Sequence, residues 1–145
     1  MIGISAIIAL LLVCLLIYYF SFSKITFLDR PYFLSNKRET IEVGYVMWSC
    51  DCADFVETKN HKSDDFIFIE AADPSLIVPE EFYASGHFTR NLRLTGQFYK
   101  KEGVSRTYEL KTPQKPEWAR VFRYDKIEIV DRKPYPENYN PQYNK

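Results

Sequence analysis

Residues 40–48, with the sequence TIEVGYVMW, alternate between two sets of side chains with a period of two. This period places successive side chains on opposite faces of a β-strand. Gly44, in the middle of the run, suggests a bulge or a sharp bend, because glycine brings no side chain to pack. The segment therefore predicts the first strand of a sheet, with one face made by Ile41, Val43, Tyr45 and Met47.

Further strand patterns follow downstream. Residues 66–69 are apolar at every position and predict a second strand that is buried on both faces. Pro79, followed by two glutamates, predicts a helix of one to two turns. Three more strands are expected at residues 91–99, 105–111 and 119–130, with a hairpin connection at residues 100–103 and a one-residue bulge near Asp125.

Five strands, one short helix, and glycines within the first and third strands resemble the OB-fold, a small Greek-key barrel. The residues that carry the resemblance are 43–46 (VGYV), 92–98 (LRLTGQF) and 121–130. It implies a mainly all-β domain over residues 39–130, with another small barrel or a β-sandwich as the alternatives. In one respect the pattern departs from the OB-fold: the helix is expected between the second and third strands, whereas the usual OB helix lies between the third and fourth.

An uncharged apolar segment opens the chain. Residues 2–20 contain no charged side chain, Asn, Gln or Pro, and as a helix they would cover roughly 28 Å, close to the ~30 Å hydrocarbon core of a bilayer. Aromatic side chains end the run, as at a membrane interface. We expect residues 1–23 to form a transmembrane anchor. The alternatives are a cleaved signal peptide with residues 21–23 at its cleavage site, or a lipid-modified Cys14.

Flanking charge predicts the side of the membrane on which the barrel lies. Basic residues follow the apolar run but do not precede it; the four that follow are Lys24, Arg30, Lys37 and Arg38. This asymmetry predicts a cytoplasmic barrel, with the periplasm as the alternative. We expect residues 24–38 to be a linker and residues 131–145 a disordered tail. The chain also looks like bacterial envelope proteins that carry one such domain behind a membrane anchor, a resemblance that implies no activity.

Composition argues against several classes of function. The 145 residues include 19 Lys and Arg against 19 Asp and Glu, so nucleic-acid binding through counterion release is not expected. Glycine-rich phosphate loops, helical zinc-ligand pairs and calcium loops are absent from the sequence. No catalytic arrangement stands out, and an enzyme ranks last among the functions considered.

Two candidate sites remain. Cys50 and Cys52 can hold one soft metal from neighbouring positions of a turn, with His61 completing a Zn²⁺ or Cu(I) site, or the two thiols can carry redox chemistry. Otherwise no cofactor is expected. The second candidate is an exposed sheet face for ligand binding, made by Trp48, Arg93, Gln97 and Tyr99. Alternation along residues 91–99 puts Arg93, Gln97 and Tyr99 on the face of the strand opposite to its apolar side chains.

The expected function is a binding or assembly module held at the membrane through residues 2–20, with another membrane or envelope protein as its candidate partner. The alternative is a metal-binding or thiol-redox protein that uses the Cys-x-Cys loop.

Overall fold

The computed structural model describes residues 2–22, 25–59, 65–112 and 114–132. His61 and residues 133–145 of the expected tail lie outside them. Helix α1 (Ile2–Phe22) comes first, and those of its side chains that are described, in residues 6–18, are all exposed. Within the described ranges no helix is both long and apolar enough to cross a membrane.

Five strands follow α1: β1 (Glu39–Tyr45), β2 (Phe55–Glu57), β3 (Phe66–Ala71), β4 (Arg90–Phe98) and β5 (Arg120–Asp131). A short helix, α2 (Glu80–Ala84), lies between β3 and β4. Two 3-10 turns flank α2, and a third, Phe27–Asp29, precedes β1.

The strands close into a barrel in the order β1-β2-β3-β5-β4, and β4 returns to pair with β1. All pairs are antiparallel except β3 and β5, which run parallel with Ile67 opposite Arg120 and Ala71 opposite Tyr124. The prediction of a mainly-β five-stranded barrel with one short helix is confirmed, and the barrel is compatible with an OB-like fold.

Two of the strand predictions were wrong. The structure has β2 at Phe55–Glu57, within a polar stretch that was not expected to form a strand, and it has no strand at residues 105–111. In that segment the backbone amides of Arg106 and Lys111 donate to the carboxylates of Glu70 and Asp51, and not to a neighbouring strand. With β2 counted, α2 lies between the third and fourth strands, as in the usual OB pattern.

The predicted bulge in the last strand is confirmed. Thr95 pairs with Lys126 and Gly96 pairs with Tyr124, so Asp125 has no partner in β4. The extra residue lets Tyr124 and Ile127 both pack against the barrel core. The structure has no bulge at Gly44, so that part of the prediction was wrong. β1 stays in register with β2 there, with Gly44 opposite Val56.

The barrel has apolar clusters on both sides of its wall. The interior cluster contains Ile67, Leu92, Leu94 and Phe122, while Phe68, Tyr99, Val104 and Val121 form a second cluster outside. Ile67 and Phe68 are neighbours in sequence, and they are 0% and 2% exposed in different clusters. The prediction that this strand is buried on both faces is therefore confirmed.

The expected linker and tail contribute contacts at their inner ends. Leu34 forms an isolated bridge with Tyr99, and the Ser35 amide donates to the Phe98 carbonyl at 2.8 Å. At the other end, β5 includes Asp131, and the Arg132 Nε donates to Asn91 at 3.2 Å.

Candidate functional site

A cavity of about 560 Å³ opens where β1 ends and β2 begins. Its walls come from β1, β2, β3, β5, α2 and the loop between β4 and β5, and they include Tyr45, Phe55, Ala71, Tyr83, Tyr108 and Lys111. A concave site of this size, walled mostly by apolar and aromatic side chains with a few polar groups, is the usual form of a small-ligand pocket.

Aromatic rings form one wall of the cavity. The Tyr45 ring centre lies 5.4 Å from that of Phe55 and 5.2 Å from that of Tyr83. On the opposite side, the Tyr108 ring centre lies 4.9 Å from that of Phe68. These tilted and edge-to-face arrangements are the favoured packing of aromatic pairs and hold the rings in fixed positions.

The polar groups of the cavity fall into two kinds. Asp54 and Lys111 neutralise each other, with Nζ 2.6 Å from Oδ1. Burial raises the pKa of Asp54, although Lys111 acts in the opposite direction. Among the described residues, the hydroxyls of Tyr45 and Tyr83 have no hydrogen-bond partner, and burial raises the pKa of Tyr83. Each of these hydroxyls can therefore donate to a ligand and accept from it.

Tyr124 has a different role in the cavity wall. Its hydroxyl donates to the Leu76 carbonyl at 2.9 Å, and burial raises its pKa to about 12. This bond ties β5 to the turn before α2, so it supports the wall and is not free to bind a ligand.

Asp51 joins the two loops beside the cavity. It lies in the β1–β2 loop (residues 46–54), and its carboxylate accepts hydrogen bonds from the Tyr108 hydroxyl at 2.9 Å and from the Lys111 and Thr112 amides at 2.7 and 2.8 Å. The Thr112 hydroxyl donates to it as well. Burial alone would raise the pKa of Asp51, but hydrogen bonds from Thr112, Lys111 and Tyr108 outweigh it and lower the pKa to about 2. The β4–β5 loop (residues 99–119) is thereby fixed beside the cavity.

Glu70 forms a second buried junction, on the outside of the barrel. It accepts from the Tyr99 hydroxyl at 2.6 Å and from the Arg106 amide at 2.8 Å, and the Arg106 guanidinium approaches it to 3.1 Å. Burial is the largest cause that raises the pKa of Tyr99, followed by its bond to Glu70. The network fixes the first half of the β4–β5 loop against β3.

The predicted ligand-binding face is only partly exposed. Tyr99 was wrongly expected on the surface: it is 7% exposed, because the β4–β5 loop covers that side of β4. Gln97 is half-buried and donates to the Ser35 carbonyl at 2.6 Å. Arg93 is exposed and lies 3.7 Å from Glu42 and 3.6 Å from Glu128.

Trp48 is 42% exposed, and its ring packs edge-on against Phe66 at 5.4 Å. It lies in the β1–β2 loop, whereas the other three predicted residues lie on or just after β4. In the described part of the chain, no hydrogen bond, ion pair or ring contact joins Trp48 to them. The structure does not bring the four residues together as one site.

Cys50 and Cys52 are joined in a disulfide. Across the described ranges no group of three or more His, Cys, Asp or Glu side chains is arranged to hold a metal ion. His61, the third expected ligand, lies outside those ranges. The metal site at Cys50, Cys52 and His61 therefore stays a prediction.

Sequence reasoning missed the cavity and both carboxylate junctions. The one local signal is Asp51, an acidic residue between two cysteines, and such a loop position is equally typical of a solvated side chain. Its partners at residues 108–112 follow too far along the chain for any local pattern to connect them.

Comparison with known proteins leaves the structure as the main guide to function. No protein-family model matches the sequence, and searches of curated proteins and of solved structures give no significant match.

Proposed function

We propose that this protein is a binding module attached to a membrane through residues 2–20, and that its ligand enters the tyrosine-lined cavity. The observation that carries the binding proposal is the cavity itself, with two phenol hydroxyls on its aromatic wall that have no hydrogen-bond partner in the described part of the chain. The exposed sheet face expected from the sequence supports this function less well, because Tyr99 is buried and Trp48 lies in a loop away from the residues of β4.

The cavity favours an uncharged ligand with an apolar face and hydrogen-bonding edges, such as a sugar ring. Rings of Tyr45 and Tyr83 offer flat apolar surface, and their hydroxyls offer polar contacts. Asp54 and Lys111 neutralise each other, and the further charged residue of the described lining, Glu109, is exposed, so the wall holds no buried unpaired charge to select an ion. Aromatic and OB-type surfaces bind sugars and nucleobases in this way.

The test of the cavity uses two adjacent alanines. Ala71 lines the cavity, whereas Ala72 is exposed and does not. Saturation-transfer NMR on the full chain, with phenol and myo-inositol as probes, should detect weak binding to the native protein and to the Ala72→Leu variant. Ala71→Leu should lose most of that signal, because its larger side chain fills the cavity. Equal signals from both variants would refute the site.

Membrane attachment is supported by the sequence of residues 2–20 and by the exposure of α1. Leu10 and Leu15 are 64% and 63% exposed, and apolar side chains exposed in this number favour contact with a membrane or a protein. The flanking charges favour a cytoplasmic barrel, with the periplasm as the alternative. In cells, the chain should remain with the membrane pellet after alkaline carbonate washing; recovery in the supernatant would refute attachment.

A second candidate function is thiol redox chemistry, because the disulfide already joins Cys50 and Cys52 and Cys50 is exposed. A thiol count before and after reduction of the full chain, together with elemental analysis, tests this function and the Zn²⁺ or Cu(I) alternative. A count that rises reversibly on reduction from one thiol (Cys14) to three, and stays at two in Cys50→Ser, would support redox chemistry. Bound metal dependent on His61 would support the metal site.

A further inference from the structure

Five large exposed side chains belong to two segments that meet at one end of the β4–β5 ribbon, where the Trp118 indole donates to Asp29 and Leu34 bridges to Tyr99, and we call this set the aromatic patch. They are Phe27, Leu28, Tyr32, Phe33 and Trp118, and they are 53%, 62%, 59%, 75% and 55% exposed. The first four belong to the segment that follows α1, and Trp118 belongs to the end of the β4–β5 loop. Exposed apolar groups of this density on one surface usually mark an interaction site.

The patch is built on a buried carboxylate. Asp29 is 2% exposed and accepts hydrogen bonds from the Thr26 amide at 2.8 Å and from the Trp118 indole at 3.0 Å. Lys115 lies 2.7 Å from it. Burial would raise the pKa of Asp29, but the bonds from Lys115, Thr26 and Trp118 hold it below its usual value. Trp118 is thus oriented while much of its ring faces solvent.

Tyr32 is fixed in a similar way. Its hydroxyl donates to the Phe27 carbonyl at 3.1 Å, and the Arg106 guanidinium lies 5.6 Å from its ring centre. Gly103 lets the loop approach closely, since a Cβ there would lie 2.8 Å from the Pro31 ring. The patch is therefore a fixed surface.

Chain connectivity and composition indicate what covers this surface. Phe27 follows the end of α1 at Phe22 by five residues, which can span at most about 18 Å. Tyr, Trp and Phe side chains of this kind are enriched at the headgroup level of bilayers, with cationic side chains beside them. Here Lys100, whose amide donates to the Phe33 carbonyl, Arg106 and Lys115 are exposed cations, and Glu102 and Glu117 are exposed acids of the same loop.

We propose that the aromatic patch lies in the headgroup region of the bilayer that holds α1, and so orients the barrel on the membrane. This inference rests on the proposed attachment through residues 2–20. A second copy of the chain is the other occupant that the test distinguishes.

The fold supplies a matched control position at the far end of the β4–β5 ribbon. Phe88 comes two residues before β4 and Trp118 two residues before β5, and these strands are antiparallel. The two side chains therefore lie at opposite ends of the ribbon, separated by roughly the length of a nine-residue strand, about 30 Å. Phe88 is 65% exposed, so a tryptophan fits there.

The experiment measures tryptophan quenching by brominated lipids in the full chain, reconstituted into vesicles of phosphatidylcholine and phosphatidylglycerol. The protein has two tryptophans, so Trp48→Phe leaves Trp118 as the only one. The control combines Trp48→Phe, Trp118→Phe and Phe88→Trp. A third chain, with Phe33→Trp in place of Phe88→Trp, reports on the patch without depending on the Trp118–Asp29 bond.

Bromines near the headgroup end of the lipid chain should quench Trp118 and the Phe33→Trp reporter at least about twofold more than the Phe88→Trp reporter. If the chain floats with the vesicles but all three reporters are quenched equally little, the patch proposal fails and the attachment stands. If the chain does not float with the vesicles, the attachment fails as well. A blue shift of Trp118 emission that depends on protein concentration without lipid would assign the patch to a second copy and overturn the proposal.

Discussion

Asp51 and Thr112 are bonded twice, through the amide and through the hydroxyl of Thr112, across 61 residues of sequence. The bonds join the β1–β2 loop to the β4–β5 loop beside the cavity. Two loops that carry no strand of their own are thereby held in one arrangement. The junction thus helps to set the shape of the cavity, together with the strands and α2 that form the rest of its wall.

Replacement of Asp51 by Asn should destabilise the barrel by about 3 kcal/mol, because at least one buried donor loses its acceptor and the amide group adds another donor. The matched control is Glu109→Gln, a change of the same kind at an exposed position in the same loop; it should alter stability by less than about 0.5 kcal/mol. Urea unfolding of the full chain in detergent, followed by near-ultraviolet circular dichroism, measures both. Equal midpoints for the two variants would contradict the role given to the junction.

Stability should fall in acid, partly through Asp51. Its pKa is lowered from 3.8 to about 2 in the folded protein, so its contribution is fully present above pH 3.8 and is lost as the pH falls through about 2. Asp29 acts in the same direction. Between these values the unfolding free energy should fall by at most about 1.4 kcal/mol per pH unit for each such group. Asp51→Asn should show a shallower fall than the native chain, and parallel curves would exclude Asp51 as a cause.

Gly96 should be irreplaceable where the strands bend at the bulge. A Cβ at this position would lie 2.7 Å from the Tyr124 Cα and closer still to the Arg123 carbonyl. Gly96→Ala should cost more than about 3 kcal/mol or prevent folding, because backbone atoms must move to admit the methyl group. Gly44→Ala serves as the control, since its Cβ would meet only side-chain atoms, at 3.5 Å. It should cost no more than about 1 kcal/mol; the reverse order of the two would refute the assignment.

Two arginine–carboxylate pairs should differ greatly in their importance for stability. Arg38 binds Asp125 through both nitrogens, but both side chains are about half exposed. Arg106 binds Glu70, which is 3% exposed. Arg38→Ala should cost less than about 1 kcal/mol, and less again in high salt. Arg106→Ala should cost about 3 kcal/mol, because a buried carboxylate loses its nearer counter-ion and keeps only Arg123, at 4.0 Å, among the described ion pairs. Thermal unfolding in low and high salt measures both, and similar losses would contradict the burial argument.

The strand patterns that sequence reasoning found are those with several residues of regular alternation. β1, β4 and β5 are long enough for the period to be visible, and the parity change at Asp125 even located the bulge. β2 has three residues and lies in a polar stretch, so it carries too few positions to show a period. The segment at residues 105–111 has a strand-like composition, but buried side-chain acceptors bind its backbone amides instead.

The site was harder to predict than the fold for a related reason. Alternation correctly put Tyr99 on the opposite face from Leu92 and Leu94, but it does not reveal whether a distant loop covers that face. The cavity likewise combines Tyr45, Tyr83 and Tyr108 from three separate segments. Such a combination depends on tertiary packing, which leaves no period in the sequence.

The parallel pairing of β3 with β5 also affects how the chain can fold during synthesis. The last strand supplies neighbours to both β3 and β4. Until residues 120–131 have left the ribosome, each of those strands has an open edge to which other chains can pair. Because α1 is synthesised before β5, it is free of the ribosome while the ring of strands is still open. The barrel can close only after its last strand has been synthesised.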